Sequence, residues 1–232
     1  MGYKIETHLH TPVISPCGVL TPQELVEGYL KAGFSAITVT EHFHADAFHH
    51  AGIDPAGEGT FQAYLEGYRQ VCRAAEGTPL RVYYGAELRF RGCGNDYLLY
   101  GFPHELLAKP EEVWAMGIVR FSELAREAGA LLIQAHPYRA YCLPVDPYLI
   151  DGVEGVNRHD VHANRNDLAV AYGRRYGLRI TGGSDCHHPA DVGRGGIEAD
   201  WLPEDSMDLA RLLRAGDYRI LGDDSGLNAG PV

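Results

Sequence analysis

Short apolar, β-branched runs alternate along the chain with stretches of helical period, and the links between them are only a few residues long. Ala36-Ile37-Thr38-Val39-Thr40 follows at once on a helix that opens at Thr21-Pro22-Gln23-Glu24. That opening is a capping box with proline at the first helical position, and the helix stops at Gly33. Leu25, Tyr29 and Ala32 share one face of it. Strand, helix, strand with short links is the unit of a mostly parallel sheet. Further strand-like runs are Tyr3-Lys4-Ile5, Leu80 to Glu87, Tyr97 to Phe102, Ala130 to Ala135, Gly152 to Val156 and Leu178 to Thr181. Helices are predicted at about 61–75, at 111–128 with Val113, Met116, Leu124 and Ala128 inward, and around 161–176. One more strand near 196–199, a helix over about 204–214 and an extended piece at 218–221 complete the pattern. Residues 44–59, with Pro55 and three glycines, read as a long loop past a strand end, where such loops act as lids or binding loops. No repeat or linker divides the 232 residues. Seven βα-like units in a single α/β domain (1–232) predict a closed or nearly closed barrel, with a doubly wound open sheet as the alternative.

Composition narrows the function. A formal net charge of −11 disfavours long nucleic acid, because phosphate neutralisation needs clustered Lys and Arg. It leaves room for a small anionic substrate where a bound cation dominates the local field. The five cysteines are spread singly with no C-x-x-C pair, which suits a reducing compartment. With no leader-like or membrane-spanning run, the expectation is a soluble cytoplasmic protein without membrane contact.

The strand ends carry the chemistry. Thr7-His8-Leu9-His10-Thr11 taken alone reads as two surface histidines. The other predicted strands, however, finish at His42, Glu87, His104, His136, and Asp185 with His187. A barrel brings these ends around one mouth, and so many imidazoles and carboxylates in one cleft need cations to be stable there. Neutral imidazole and carboxylate suit zinc, manganese or iron, and one carboxylate can bridge two ions about 3.5–4 Å apart.

His8-x-His10, Thr40-Glu41-His42, Gly85-Ala86-Glu87, Ala135-His136-Pro137 and Gly183-Ser184-Asp185-Cys186-His187 resemble, in the same order, the motifs of the PHP (polymerase and histidinol phosphatase) superfamily. The resemblance spans roughly residues 5–190. It implies a distorted (β/α)7 barrel, two or three divalent transition metals, and phosphoester hydrolysis. By position it assigns His8, His10, Glu87 and Asp185 to a first metal. Glu87 would bridge to a second ion shared with His136 and His104, and His42 and His187 would hold a third. The chain departs from the family at Ser15-Pro16-Cys17-Gly18, where many members carry Asp or His. Cys17 there is either a thiolate ligand or a packed small thiol. Glu41 stands where Asp is common, in a role that orients neighbours and does not ligate.

The expected activity is that of a metal-dependent phosphomonoesterase acting on a small phosphorylated metabolite through a metal-bound hydroxide. A metallohydrolase of non-phosphate bonds and a metal-binding module without turnover are the alternatives. Arg139, three residues past His136, is expected either to hold a phosphate oxygen or to make a surface ion pair. His42 or His187 is expected to protonate the leaving group if no third ion binds. Arg89 and Asn157 are weaker candidates of the same kind. His44, His49, His50, His159, His162 and His188 are expected on surface loops, and Trp114 and Trp201 packed on helices.

Overall fold

The computed structural model describes residues 2–223; residue 1 and residues 224–232, which the expected domain includes, lie outside the described residues. The elements run β1 (Tyr3–Leu9), α1 (Pro22–Lys31), β2 (Ala36–Val39), β3 (His42–Phe43), α2 (Ala45–His50), α3 (Thr60–Tyr64), α4 (Glu66–Ala75), β4 (Arg81–Arg89) and β5 (Asp96–Tyr100). They continue with α5 (Pro110–Glu127), β6 (Leu131–Gln134), β7 (Gly152–Asn157), α6 (Asn166–Tyr176), β8 (Arg179–Gly183), β9 (Ile197–Ala199), α7 (Ser206–Ala215) and β10 (Tyr218–Ile220).

Seven strands (β1, β2, β4, β5, β6, β7, β8) hydrogen-bond in chain order, and β3 extends the line of β2 alongside β4. The sheet nearly closes on itself. Leu9 bridges Cys186 in parallel, with the His10 amide donating to the Cys186 carbonyl (3.1 Å) and the Cys186 amide to that of His8 (3.2 Å). The first half of β1 turns instead to β9, antiparallel, and β10 covers β9. The expected distorted seven-stranded barrel is therefore present, pinched shut at the end where His8, His10 and Asp185 lie.

The distortion has a local cause. Six residues separate β4 from β5, and a parallel return needs a crossover of about a dozen or more. β5 therefore runs antiparallel to both β4 and β6, against the expectation of a βα unit there. Its first residue, Asp96, faces the pinched end, and its last residues point to the opposite one.

The capping box of α1 forms as expected, with Thr21 and Glu24 bonding each other's backbone amides and Gly33 in a left-handed turn (φ 76°). Other helices depart from expectation. α5 is interrupted at Gly117 (φ 72°, ψ 171°), which rotates its second half and changes the inward set. Val113, Trp114, Phe121 and Ala125 are buried, whereas Met116, Leu124 and Ala128 are only partly so. The predicted 61–75 helix breaks at Leu65 into α3 and α4. The 161–176 helix starts only at Asn166, after Arg165 in a left-handed conformation (φ 49°). Residues 44–59 are not one loop, because the His44 ring caps α2 by accepting from the Ala47 amide (3.3 Å).

Trp114 packs as expected, within an aromatic nest with Phe43, Phe48 and Tyr64 that roots β3 and α2, and its indole donates to the Phe43 carbonyl (3.1 Å). Trp201 is instead exposed. No helix among the described residues is long and apolar enough to cross a membrane.

Candidate metal centre

His8 in β1 and His10 one residue past it are two positions apart and so lie on the same face, which brings both rings to one point. Their ring centroids are 5.0 Å apart. Glu87 on β4 lies in register with His42 on β3. His136 and Asp185 each sit two residues past a strand, β6 and β8, at φ of 27° and 51°. Left-handed backbone at a non-glycine residue costs on the order of 1–3 kcal/mol, so strain is concentrated at two of the converging side chains.

Glu87 is the hub. Its Oε1 lies 3.4 Å from His8 Nε2 and 3.1 Å from His136 Nε2. Its Oε2 lies 3.4 Å from His10 Nε2 and 2.7 Å from His42 Nδ1. Asp185 Oδ1 closes the figure at 3.4 Å from His8 Nε2 and 3.3 Å from His10 Nε2. Contacts of 3.3–3.4 Å are long for charge-assisted hydrogen bonds. They match the roughly 3.3–3.4 Å that separates the ligands of a tetrahedral ion with bonds of about 2.0–2.1 Å. His8 Nε2, His10 Nε2, His42 Nδ1 and Glu87 Oε2 are all buried, and none makes a hydrogen bond of good geometry, the close His42–Glu87 contact included. Orphaned buried polar atoms are costly, and four aimed at one place fit divalent cations. Three donor groups result, each with its donor atoms within 4.8 Å of one another: His8, His10 and Asp185; His10, His42 and His187, which share His10; and Glu87, Asp96 and His136.

The outer contacts fix which nitrogen faces inward. His8 Nδ1 donates to Glu154 Oε1 (2.8 Å), and His187 Nδ1 to the Asp185 carbonyl (2.7 Å). Such partners set the tautomer and leave Nε2 its lone pair. Glu41 ligates nothing: it accepts from the Thr11 amide (3.2 Å), the Thr11 hydroxyl and the Ser15 hydroxyl (2.7 Å), which matches the expected orienting role. Burial raises Glu87 and Asp185, but the facing charges, His8 first, overcome it and hold both well below the usual carboxylate range.

Eight of the nine expected metal ligands gather here. Cys17 Sγ lies 3.2 Å from His42 Nε2, and hydrogen bonds with His187 and His42 outweigh desolvation to bring the thiol down to about 6. His104 is the exception. It is exposed at the far end of the barrel, against the rings of Phe61 (4.9 Å) and Tyr84 (5.3 Å), because β5 runs the other way. The same reversal brings in Asp96, 4.0 Å from His136 Nε2.

Arg139 makes an ion pair, one of its two expected roles, within the centre and not at the surface. Its Nη2 donates to Asp185 Oδ2 (2.6 Å) and Asn157 Oδ1 (3.0 Å), and its Nε to Asn164 (2.8 Å). It holds Asp185 in place. Arg139→Ala is accordingly expected to weaken metal binding about 10–100-fold, as loss of a contact supporting a ligand does; a metal titration checks it. Asn157 belongs to the same network, donating to Glu154 (2.9 Å) and Asp185 (3.2 Å), and Arg89 is committed to Asp96 by two bonds of 2.6 and 2.7 Å.

Two buried glutamates escaped the sequence reading. Glu154 supports His8 and the His136 amide (3.2 Å). Glu6, inside β1, accepts from the Thr7, His8 and Ser184 amides and from the Tyr29 and Ser184 hydroxyls, which ties the start of one motif to the start of the last. A charged residue within an apolar strand was the available signal. Glu6→Ala would strand these donors and is expected to cost about 3–5 kcal/mol. That corresponds to a fall in Tm of roughly 6–20 °C at this chain length, readable by calorimetry.

A family model described as PHP-associated matches residues 163–218. No curated protein is significantly similar in sequence. Among solved structures, PsfC from Pseudomonas syringae is 19% identical, with 98% of this chain and 95% of PsfC covered at a TM-score of 0.67. A two-domain protein of Bacteroides vulgatus containing a predicted PHP-like metal-dependent phosphoesterase is 15% identical at a TM-score of 0.64. There 95% of this chain spans 64% of the other. A lesion-specific endonuclease of Pyrococcus furiosus is 13% identical at a TM-score of 0.58, covering 95% of this chain and 58% of its own. At these identities the likeness is one of fold.

Proposed function

We propose that the chain is a PHP-type metal-dependent phosphomonoesterase acting on a small phosphorylated metabolite, a reading supported by its fold and by the PHP-associated match over residues 163–218. The observation that carries this reading is the set of four orphaned, buried donor atoms around Glu87. His8, His10, Glu87 and Asp185 would hold one ion. Glu87, His136 and Asp96 would hold a second, and His10, His42, His187 and Cys17 surround the place for a third. When bound, divalent zinc, manganese or iron supplies an activated water near neutral pH and neutralises charge on the phosphoryl oxygens.

The protein's own groups do the rest. Glu87 and Asp185, ionised and dry, fix the positions of the four surrounding rings. His42 is the ring with most access, its side chain 13% exposed against 0–2% for His8, His10 and His136. Its Nε2, beside exposed Cys17, would carry the proton to the departing oxygen in a two-ion enzyme, with His187 as the second candidate. Glu87, Asp185 and the rings around them are buried, with His42 and Cys17 the more exposed groups, which suits a terminal phosphate that reaches in. A phosphodiester flanked by chain on both sides needs a wider opening, and the net charge of −11 also disfavours long nucleic acid.

The test is a panel of phosphate esters, monoesters and diesters together, assayed with manganese, zinc or iron. The expected outcome is metal-dependent release of phosphate from monoesters. Cleavage of diesters alone would reassign the site toward the reaction class of the Pyrococcus endonuclease, and no cleavage with metal bound would leave a binding module.

A further inference from the structure

Beside the centre, and outside the ligand set proposed for it, lies a second group of donors: His159, His188 and Asp191. We infer that these three side chains form a separate site for a single divalent transition ion of the zinc class, one that ties the loop after β7 to the loop after β8. His159 Nδ1 and His188 Nδ1 both face Asp191 Oδ2, at 3.3 and 3.6 Å, and the three donor atoms lie within 4.8 Å of one another. The two contacts bracket the roughly 3.3–3.4 Å ligand separation of a tetrahedral ion closely, and the longer one is beyond a good hydrogen bond.

The independent observation is His159 itself. Its residue is 5% exposed, although it follows β7 in a loop, and its Nδ1 is buried with no hydrogen-bond partner. A surface-loop histidine, as the sequence suggested, would keep that nitrogen in water. Burying it without a partner costs on the order of 1–3 kcal/mol, which a bound cation removes. Asp191 Oδ2 accepts the His187 (3.1 Å) and His188 (2.9 Å) amides, the outer hydrogen bonding that ligating carboxylates commonly receive. The two rings are nearly parallel, 11° between planes with centroids 6.1 Å apart, which leaves room between them on the solvent side, where His188 is 48% exposed. The remaining positions on the ion would go to water.

The ion would be structural. The His159 ring lies 4.8 Å from that of His187, and Asp191 holds the His187 amide, so fixing this corner fixes one wall of the main centre. Because His188 projects to solvent, His188→Ala should fold normally.

The experiment is equilibrium zinc titration of the chelator-stripped full chain, with bound metal counted after desalting, for wild type, His188→Ala, Glu87→Gln and the double variant. The expected result is one equivalent fewer in His188→Ala than in wild type, or at least a tenfold weaker Kd for that equivalent. The same difference should separate Glu87→Gln from the double variant, which isolates the peripheral ion from the fate of the main centre. Equal stoichiometry and equal Kd with and without His188 would overturn the proposal. So would loss of two or more equivalents in His188→Ala, since the three residues would then be hydrogen-bonded support for the main centre and no site of their own.

Discussion

Glu87→Gln is expected to abolish the proposed phosphoester hydrolysis to within the last few tenths of a per cent and to lower the bound metal by at least one equivalent. The carboxylate makes close contacts with four imidazoles, two on each oxygen, so it touches a member of every donor group in the centre. The amide keeps the shape and loses half the acceptor capacity. Its NH2 would be directed at His10 and His42 or at His8 and His136, where a lone pair is needed. It also removes the charge that helps to raise His8 and His42 despite their burial. Loss of a single preorganised electrostatic group costs about 10²–10³ in kcat, and a group shared between ions belongs at the upper end of that range. The measurement pairs kcat/KM on the best monoester with metal counting at several metal concentrations. Wild-type metal content with a wild-type rate would remove Glu87 from the mechanism. A rate restored by excess metal would make its role one of affinity alone.

Much of the centre was legible because its residues are local. His8 and His10, or Asp185 and His187, lie within one strand end, so a spacing of two residues is enough to see them. What was missed depends on chain direction and on packing. His104 ends an apolar run as His136 does, and a pattern of strand ends treats the two alike. The six residues between β4 and β5 were the available clue: they cannot carry a parallel crossover, so the beginning of β5 and not its end had to face the site. That substitutes Asp96 for His104. Arg139 could be placed near the centre from its position, but no spacing tells whether a guanidinium faces substrate or the back of Asp185. His159 was misjudged for a related reason. A loop residue is exposed by default, and only the fold of residues 157–166, with Asn164 donating to the Asn157 and His159 carbonyls, turns the ring inward. The interruption of α5 at Gly117 was hidden because glycine in a helical pattern is tolerated more often than it breaks one.

The pH dependence of stability should separate the metal-free from the metal-loaded protein. Burial and the Arg139 charge push His136 down, but hydrogen bonds to Cys142 and Glu87 and the Glu87 charge carry it from 6.5 up to about 9. Between those values the folded chain binds a proton that the unfolded chain does not, so stability is lost as pH rises through the window. The full contribution is present below about 6.5, is gone above about 9, and amounts to about 3 kcal/mol. His8 and His42, raised well above 6.5 by facing carboxylates against the pull of burial, act in the same direction. Burial also lifts Glu6 and Glu41 from 4.5 to about 7, which adds a decline of the same sign between those two values. Glu87 and Asp185 lose their contribution only in strong acid, outside this range. Bound ions reverse the trend because they require the rings deprotonated, so each proton released is a site gained. Cys17 acts the other way across this window, because its thiol is held at about 6 against 9 when free, and it offsets the His136 loss. The decline that remains is that of His8 and His42, so the chelator-stripped protein should lose Tm from pH 6.5 to 9, while the protein in saturating zinc or manganese holds level or rises. The gap between the two curves measures competition between protons and metal for the same nitrogens. Parallel curves would mean that these rings do not hold the metal.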